Sequence, residues 1–327
     1  MQPAIETHAL TKRYGSRPVV RELTFAVNPG EVFALVGPNG AGKTTVIRLV
    51  SGLAFPSSGS VRMLGHDPHE TPSVRRRLGA VVEAPAAFYP YLSGRSNLVL
   101  HARLAGGVAS SRVREVLDQV ELGHAADRKV GVYSLGMRQR LGVAAALLTR
   151  PEVLILDEPA SGMDPLSLHL VHRVLRDAAS SGTAVLLSTH HLDEVVAYCS
   201  HVGIMEDGVL IDQIPLRDRG ARMRALVDDV QSARLTLAAQ PWVREVFVRG
   251  RDVVFTLEQP AAIDKVAGCL AGAGVALREL GDDSFDLRSY YRERVEAQRA
   301  RRTSGDGRPR IAPGPPIVAE GTAGVDA

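Results

Sequence analysis

Short hydrophobic runs alternate with helical patterns through the first 215 residues of the chain. Apolar side chains cluster at strand length at 4–10, 19–27, 32–36, 153–156 and 184–188. Helices are predicted at 44–51, 93–104, 110–119, 136–148 and 166–179. Strands that alternate with helices in this way predict a largely parallel sheet covered by helices, with a helical subdomain at about 85–150.

The pattern changes after about residue 215, beyond a predicted hairpin at 202–211 that turns at Asp207 and Gly208. Strands at 243–248, 253–257 and 275–280 then accompany a helix at 261–270, which indicates a small α+β domain. The predicted division is an α/β domain at 4–215, a charged linker at 216–229, an accessory domain at 230–302 and a disordered tail at 303–327.

Composition and charge exclude several classes of protein. The 327 residues carry 39 basic and 36 acidic side chains, and a net charge of +3 is too small for a dedicated nucleic-acid-binding protein. The sequence has neither an uncharged apolar stretch of the roughly 18 residues that cross a bilayer nor a secretory signal pattern. Cys199 and Cys269 form neither a CxxC pair nor a disulfide framework, so a reducing compartment is expected.

A glycine-rich segment after the buried run at 32–36 carries the strongest signal. Residues 37–44 read GPNGAGKT and satisfy the phosphate-loop pattern GxxxxGK[ST]. In such a loop backbone N–H groups point at phosphate oxygens, Lys43 reaches the β and γ phosphates, and the Thr44 hydroxyl can hold Mg²⁺. A plain glycine turn is the alternative, but the flanking strand and helix favour phosphate binding.

Two acidic residues end the apolar run at 153–156. Asp157 is placed to bind Mg²⁺, and Glu158 to orient and deprotonate an attacking water. Taken alone, the pair also suits a solvated strand end. Together with the phosphate loop upstream, it predicts a site for nucleotide hydrolysis.

Three further motifs follow a fixed order with these two. Residues 133–140 read YSLGMRQR, 161–164 read SGMD and 188–190 read STH. With Tyr14 near the N-terminus, they make residues 4–215 resemble the ATP-binding subunits of ABC transporters. The resemblance implies an α/β fold: a P-loop ABC ATPase domain with a parallel-sheet core, an antiparallel β subdomain and a helical signature subdomain, followed here by the small α+β accessory domain.

The resemblance also implies the site residues, position by position. Those that bind nucleotide are Tyr14, Gly37, Pro38, Asn39, Gly40, Ala41, Gly42, Lys43, Thr44, Thr45, Ser134, Gly136 and Asp164. The catalytic residues are Glu158, His190 and Glu83, and the Mg²⁺ ligands are Thr44, Glu83 and Asp157. From the residues alone, Ser134 also suits an ordinary helix N-cap, His190 a structural histidine and Tyr14 a surface aromatic.

The chain departs from the family pattern in two places. Its signature has Leu135 for the first glycine and Met137 for glutamine, and leucine restricts the loop relative to glycine, which can alter the hydrolysis rate. Glu83 stands where the family has the Q-loop glutamine, and an ionised carboxylate only accepts hydrogen bonds. Glu83, the segment FYPYLSGR at 88–95 and the YSLGMRQR signature together make the chain similar to the bacitracin-resistance and lantibiotic-immunity branch of ABC exporters.

The expected partners follow from this resemblance. A separate ABC permease would contact the region near 83–92, and two ATPase chains would pair head to tail around ATP and Mg²⁺. The protein would lie in the cytoplasm on the inner face of the cell membrane and energise export, with drugs or peptide antibiotics as expected cargo. The alternative is a soluble ABC-type regulatory ATPase that is not coupled to transport.

Two remaining features have ordinary explanations. The arginine-rich stretch at 292–310 can contact anionic lipid head groups, but a solvated helix end and tail is the favoured interpretation. The pairs His66/His69 and His169/His172 have no cysteine or carboxylate cluster in the sequence to complete a metal site. Nucleotide hydrolysis therefore remains the chemistry that the sequence predicts.

Overall fold

The computed structural model describes residues 2–82, 88–216, 221–258, 262–283 and 287–303. These residues include the strands β1 (Ile5–Tyr14), β2 (Arg17–Val27), β3 (Val32–Val36), β4 (Ser58–Met63), β5 (Leu78–Val81), β6 (Val153–Asp157), β7 (Ala184–Thr189), β8 (His201–Glu206), β9 (Val209–Pro215), β10 (Ala221–Val227), β11 (Val243–Arg249), β12 (Asp252–Leu257) and β13 (Leu277–Asp282). They also include the helices α1 (Lys43–Val50), α2 (Pro72–Arg75), α3 (Gly94–Leu104), α4 (Ser110–Gln119), α5 (Leu135–Leu147), α6 (Pro165–Ser180), α7 (Leu192–Tyr198), α8 (Val230–Ala238), α9 (Ile263–Gly272) and α10 (Leu287–Thr303).

The central sheet has the strand order β5-β6-β7-β3-β8-β9 and is parallel except for β9, which pairs antiparallel with β8. The strands β3 and β7 are buried along their whole length, as expected of central strands covered on both faces. The predicted parallel sheet and the hairpin at 202–211 are confirmed. Because neighbouring parallel strands end at the same edge, the C-terminal ends of β3, β6 and β7 lie side by side.

Two hydrophobic cores enclose this sheet. Successive residues of β3 alternate between them: Val32, Ala34 and Val36 belong to the core with α3 to α7, whereas Phe33 and Leu35 belong to the core with α1. The antiparallel sheet β2-β1-β4 completes the second core. The helices predicted at 93–104, 110–119 and 136–148 are confirmed as α3, α4 and α5.

A second unit follows β9 and consists of an antiparallel sheet in the order β11-β12-β10-β13 with α8 and α9. Its element order is βαββαβ, the ferredoxin-like arrangement. The predicted strands at 243–248 and 253–257 and the helix at 261–270 are present as β11, β12 and α9, with residue 261 outside the described part of the chain. The sheet packs against the two helices through an apolar core that includes Val253, Phe255 and Leu257.

The predicted linker at 216–229 is wrong where it overlaps β10, which pairs with both β12 and β13. Its inward side chains, Met223, Ala225 and Val227, are buried in the apolar core. Before Met223 and before Ala225, respectively, Arg222 and Arg224 form ion pairs with acidic residues of the same unit. The alternation of arginine and apolar residues has the period of a half-buried strand, although its composition resembles a charged connector.

The helix α10 leaves the second unit and packs on α7 and β9 of the first. Leu287 joins the core of the first unit, with Tyr290 and Tyr291 packed against it. Arg294 forms an ion pair with Asp212 of β9 at 2.9 Å. Arg292, Arg294 and Arg299 are exposed, as the solvated interpretation of 292–310 predicted for the helix end. Buried Val295 and the ion pairs nevertheless hold α10 on the protein, and residues after 303 lie outside the described chain.

His172 is a buried histidine of α6 that packs against α7. Its ring stacks on Tyr198 with centroids 3.8 Å apart, and 5 % of the residue is exposed. Burial, with smaller contributions from the positive charges of His169 and Arg176, lowers the pKa of His172 to about 4. The neutral imidazole is therefore the form that the folded protein accommodates.

We expect acid to destabilise the protein through His172. The unfolded chain has the higher pKa, so between pH 6.5 and 4 it binds more protons than the folded chain, and the free energy of unfolding falls as the pH falls. From pH 7.5 to 5 this contributes a loss of about 2 kcal/mol. Urea denaturation at both pH values should show a smaller loss for His172→Phe, which keeps the stacked ring; an unchanged loss would contradict the assignment.

Candidate functional site

The glycine loop, residues 37–42, connects β3 to α1 and packs closely against β8 and β2. Gly40 and Gly42 have φ of 83° and 101°, in the left-handed region that side chains disfavour. A Cβ atom at Gly37 would lie 2.3 Å from the Met205 carbonyl oxygen, and one at Gly42 would lie 2.7 Å from that of Val19. The loop therefore requires glycine both for its backbone conformation and for its close packing.

The first turn of α1 follows the loop directly. Its cap is Gly42, which has no side chain to accept the N–H groups of this turn, so they can bind an anion. Thr44 is half-buried and Thr45 is buried on the same turn. Lys43 is only 6 % exposed, and its ammonium donates to the carbonyls of Gly37 at 2.8 Å and Pro38 at 3.2 Å.

Three predicted site residues form a continuous polar chain at the C-terminal edge of the sheet. Lys43 Nζ lies 3.4 Å from Glu158 Oε1, and His190 Nδ1 lies 2.9 Å from Glu158 Oε2. These residues follow β3, β6 and β7, which are neighbours in the sheet. The structure thus places one carboxylate between an ammonium and an imidazole beside the glycine loop.

Ser188, a buried residue of β7, fixes both acidic residues at the end of β6. Its hydroxyl donates to Asp157 Oδ1 at 2.5 Å and accepts the backbone N–H of Glu158 at 3.0 Å. Ser188 had no predicted role beyond its place in the STH motif. The available signal was a hydroxyl residue directly after the apolar run at 184–187, in a strand of the sheet that also contains the strand ending in two acids.

The backbone of Glu158 adopts a left-handed conformation with φ of 49°. Non-glycine residues rarely adopt this region, and such strain persists only where the surroundings impose it. The bond from its N–H to Ser188 supplies part of that constraint. The strained turn directs the carboxylate of Glu158 toward Lys43 and His190.

Tyr14 ends β1 with 49 % of its surface exposed. The ammonium of Lys12 lies 5.1 Å from the centre of its ring. The exposed ring offers a flat surface on which a base could stack. Glu83, by contrast, lies outside the described residues, and its predicted role stays a prediction.

Ser134, Gly136 and Asp164 form a second group at the N-termini of α5 and α6. The Ser134 hydroxyl accepts the N–H of Met137 at 3.2 Å, and Asp164 accepts the hydroxyl of Ser167 at 2.7 Å. The Ser167 hydroxyl and N–H hold the pKa of Asp164 below its usual value. The polar contacts of this group in the described chain are with its own helices rather than with the glycine loop.

Leu135, the departure from the family signature, begins α5 and packs over a glycine. A Cβ atom on Gly162, whose φ is 72°, would lie 2.7 Å from Leu135 Cδ2. The missing side chain at Gly162 provides the room that the larger residue needs. The helix accommodates Leu135 while Ser134 remains its cap.

Comparison with known proteins identifies the family. Residues 20–161 match the ABC transporter family. The bacitracin transport ATP-binding protein BcrA of Enterococcus faecalis is 34 % identical over 299 residues, covering 89 % of this chain and 96 % of that protein. BcrA of Bacillus licheniformis is 39 % identical over 230 residues, covering 70 % and 75 %.

A solved structure described as the ATP-binding subunit of an ABC transporter shares the fold. It has 30 % sequence identity and a TM-score of 0.60, and covers 66 % of this chain and 91 % of its own. Sequence similarity and fold similarity therefore both identify an ATP-binding protein of the ABC transporter family. The chain belongs to the ABC transporter family, as one of its ATP-binding proteins.

Proposed function

We propose that this chain hydrolyses ATP at the glycine loop to energise an ABC exporter. The observation that carries the proposal is the chain of Lys43, Glu158 and His190 beside a loop built to bind phosphate. Glu158 accepts a proton from water as the water oxygen bonds to the γ phosphorus and the bond to the ADP oxygen breaks. His190 holds the carboxylate through Nδ1 and lies at the same edge to sense the γ phosphate.

Lys43 stabilises negative charge on the transferred phosphate. Its ammonium is already oriented over the glycine loop by two carbonyl oxygens, and phosphate oxygens are stronger acceptors for it. Tyr14 stacks on the adenine, at the end of β1. The N–H groups of the glycine loop and of the first turn of α1 bind the phosphates.

The residues at this edge also suit Mg²⁺. The ion takes oxygen ligands and usually combines one or two carboxylates with substrate phosphates. The hydroxyl of Thr44 and the carboxylate of Asp157, held by Ser188, supply such donors, and Glu83 is the further predicted ligand. Bound there, Mg²⁺ neutralises charge on the β and γ phosphates.

A second chain completes the site in this proposal. Ser134, Gly136 and Asp164 contact their own helices, so one chain carries a phosphate-binding half and a separate signature half. Head-to-tail pairing of two chains brings each half to the other. ATP then acts as the bridge between the chains, and hydrolysis releases them.

The cargo is proposed from the relatives. Both BcrA proteins are named for bacitracin transport, and the match to one of them extends over 89 % of this chain. We infer export of a peptide antibiotic or drug through a separate permease, with this chain on the inner face of the cell membrane. Each helix in the described ranges is too short or too polar to span a bilayer.

Genetic and biochemical tests address this proposal together. We expect the tagged chain to co-purify from detergent-solubilised membranes with a multi-helix permease in fixed stoichiometry. Deleting its gene should sensitise the host to a bacitracin-type peptide, and wild-type protein should restore resistance where Glu158→Gln does not. ATP hydrolysis by a chain that associates with no membrane protein would favour the regulatory ATPase instead.

A further inference from the structure

The end of β8 contains a buried carboxylate whose charge is balanced from α10. Glu206 is 3 % exposed, and Arg299 donates to its Oε1 from Nε at 2.9 Å and from Nη2 at 2.6 Å. In the described part of the chain, Glu206 Oε2 is buried without a hydrogen-bond partner. A buried carboxylate is energetically costly without a cation, so the docked Arg299 stabilises the end of β8.

Glu206 is the last residue of β8, and the end of β8 together with the turn into β9 lies directly against the glycine loop. We define this turn as residues 205–208. Its Met205 carbonyl is the group that a Cβ on Gly37 would strike at 2.3 Å, and the Gly208 N–H donates to the Ala41 carbonyl at 3.0 Å. The 205–208 turn therefore fixes the position of the glycine loop at both ends.

The helix α10 also lies opposite the phosphate end of the site. A cleft of about 550 Å³ has Pro38, His190 and His191 on one side and Tyr291, Val295 and Arg299 of α10 on the other. The same helix is thus linked to the glycine loop through the 205–208 turn, and it also faces the loop across this cleft. The ATPase motifs suggest neither the link through the 205–208 turn nor the cleft.

We propose that Arg299 is a positioning residue for ATP binding. Through Glu206 it holds the 205–208 turn against the glycine loop, so docking of α10 raises the affinity for ATP. Because coupling is reciprocal, bound ATP strengthens the docking of α10 in turn. The ferredoxin-like unit precedes α10 in the chain, so it can influence ATP affinity through the docking of α10. The inference rests on the proposed ATPase function.

The test compares ATP affinity and turnover in full-length variants. Arg299→Ala should raise both the Kd for ATP and the KM roughly 5-fold or more, the lower end of typical coupling between sites, with kcat within about twofold. Arg299→Lys keeps the cation and should retain most of the affinity. Glu206→Gln removes the same ion pair by changing the acidic partner. It provides a second test of the proposal if Arg299→Ala fails to fold.

Arg294→Ala is the matched control on the same helix. Arg294 pairs with Asp212 in the middle of β9 rather than with the 205–208 turn, so its loss weakens the docking of α10 but leaves the charge of Glu206 balanced, and the Kd should rise clearly less than in Arg299→Ala. An equal rise in Kd for Arg294→Ala would overturn a specific role for Arg299, as would an unchanged Kd for Arg299→Ala. If the wild type neither binds nor hydrolyses ATP, the proposed function itself fails.

Hydrogen exchange supplies a second readout. In the wild type, ATP should slow amide exchange in α10, measured by mass spectrometry with and without nucleotide. In Arg299→Ala this protection should be lost, while protection of α1 at saturating ATP remains. Equal protection of α10 in both proteins would contradict the coupling, whatever the stability of the variant.

Discussion

Glu158→Gln is expected to lower ATP turnover by about 10²- to 10⁴-fold while ATP still binds. The amide keeps the size of the side chain but accepts a proton far less readily, so it loses the role of base. Single-turnover hydrolysis and binding of a fluorescent ATP analogue separate the two effects. The backbone N–H groups of the glycine loop and of the first turn of α1 remain available for the phosphates, although Lys43 loses its ion pair with residue 158.

Glu152→Gln is the matched control for this variant. Glu152 precedes the opposite end of β6, where it pairs with exposed Arg77, so the substitution removes the same charge from the same segment away from the site. Its turnover should match the wild type. Hydrolysis by Glu158→Gln at a rate near that of Glu152→Gln would remove Glu158 from the role of base.

Lys43→Ala is expected to lower kcat/KM for ATP by about 10²- to 10³-fold, the typical cost of losing one group aimed at the charge of the transition state. The ammonium is buried and held over the glycine loop by the carbonyls of Gly37 and Pro38. Lys43→Arg should recover little of the lost kcat/KM, because a planar guanidinium is too broad for this enclosed position. Steady-state ATPase assays over a range of ATP concentrations measure both variants.

Lys265→Ala controls for the loss of a lysine. Only Lys12, Lys43, Lys129 and Lys265 occur in the chain, and Lys265 lies exposed on α9 of the ferredoxin-like unit. Its substitution should leave kcat/KM unchanged. Equal losses in Lys43→Ala and Lys265→Ala would show that the effect does not arise at the glycine loop.

The sequence predicted the central fold well because its signals are local. The run at 32–36 is apolar throughout and is followed at once by the glycine loop, so strand, turn and helix could each be identified from adjacent residues. The candidate catalytic residues were predictable for a related reason. Asp157 ends β6, Glu158 and His190 directly follow β6 and β7, and strands of one parallel sheet end at one edge.

The parts that sequence analysis missed depend on distant partners. The pattern of β10 becomes a strand signal only when β12 and β13 supply its neighbours and the acids that pair with its arginines. Ser188 gains its role only beside Asp157, which a different strand carries. For α10, Leu287, Tyr291 and Val295 recur at intervals of four, an amphipathic stripe that the surrounding arginines concealed.

The return of α10 to the first unit changes how the ferredoxin-like unit is attached. The chain leaves the ATPase after β9 and comes back to the same strand, where the Tyr290 hydroxyl donates to Asp212 at 2.6 Å. In topological terms the unit is an insertion with two tethers rather than an appended tail. A force applied to it would therefore pull on β9 and α10 together, and a single cut in either tether would leave it attached.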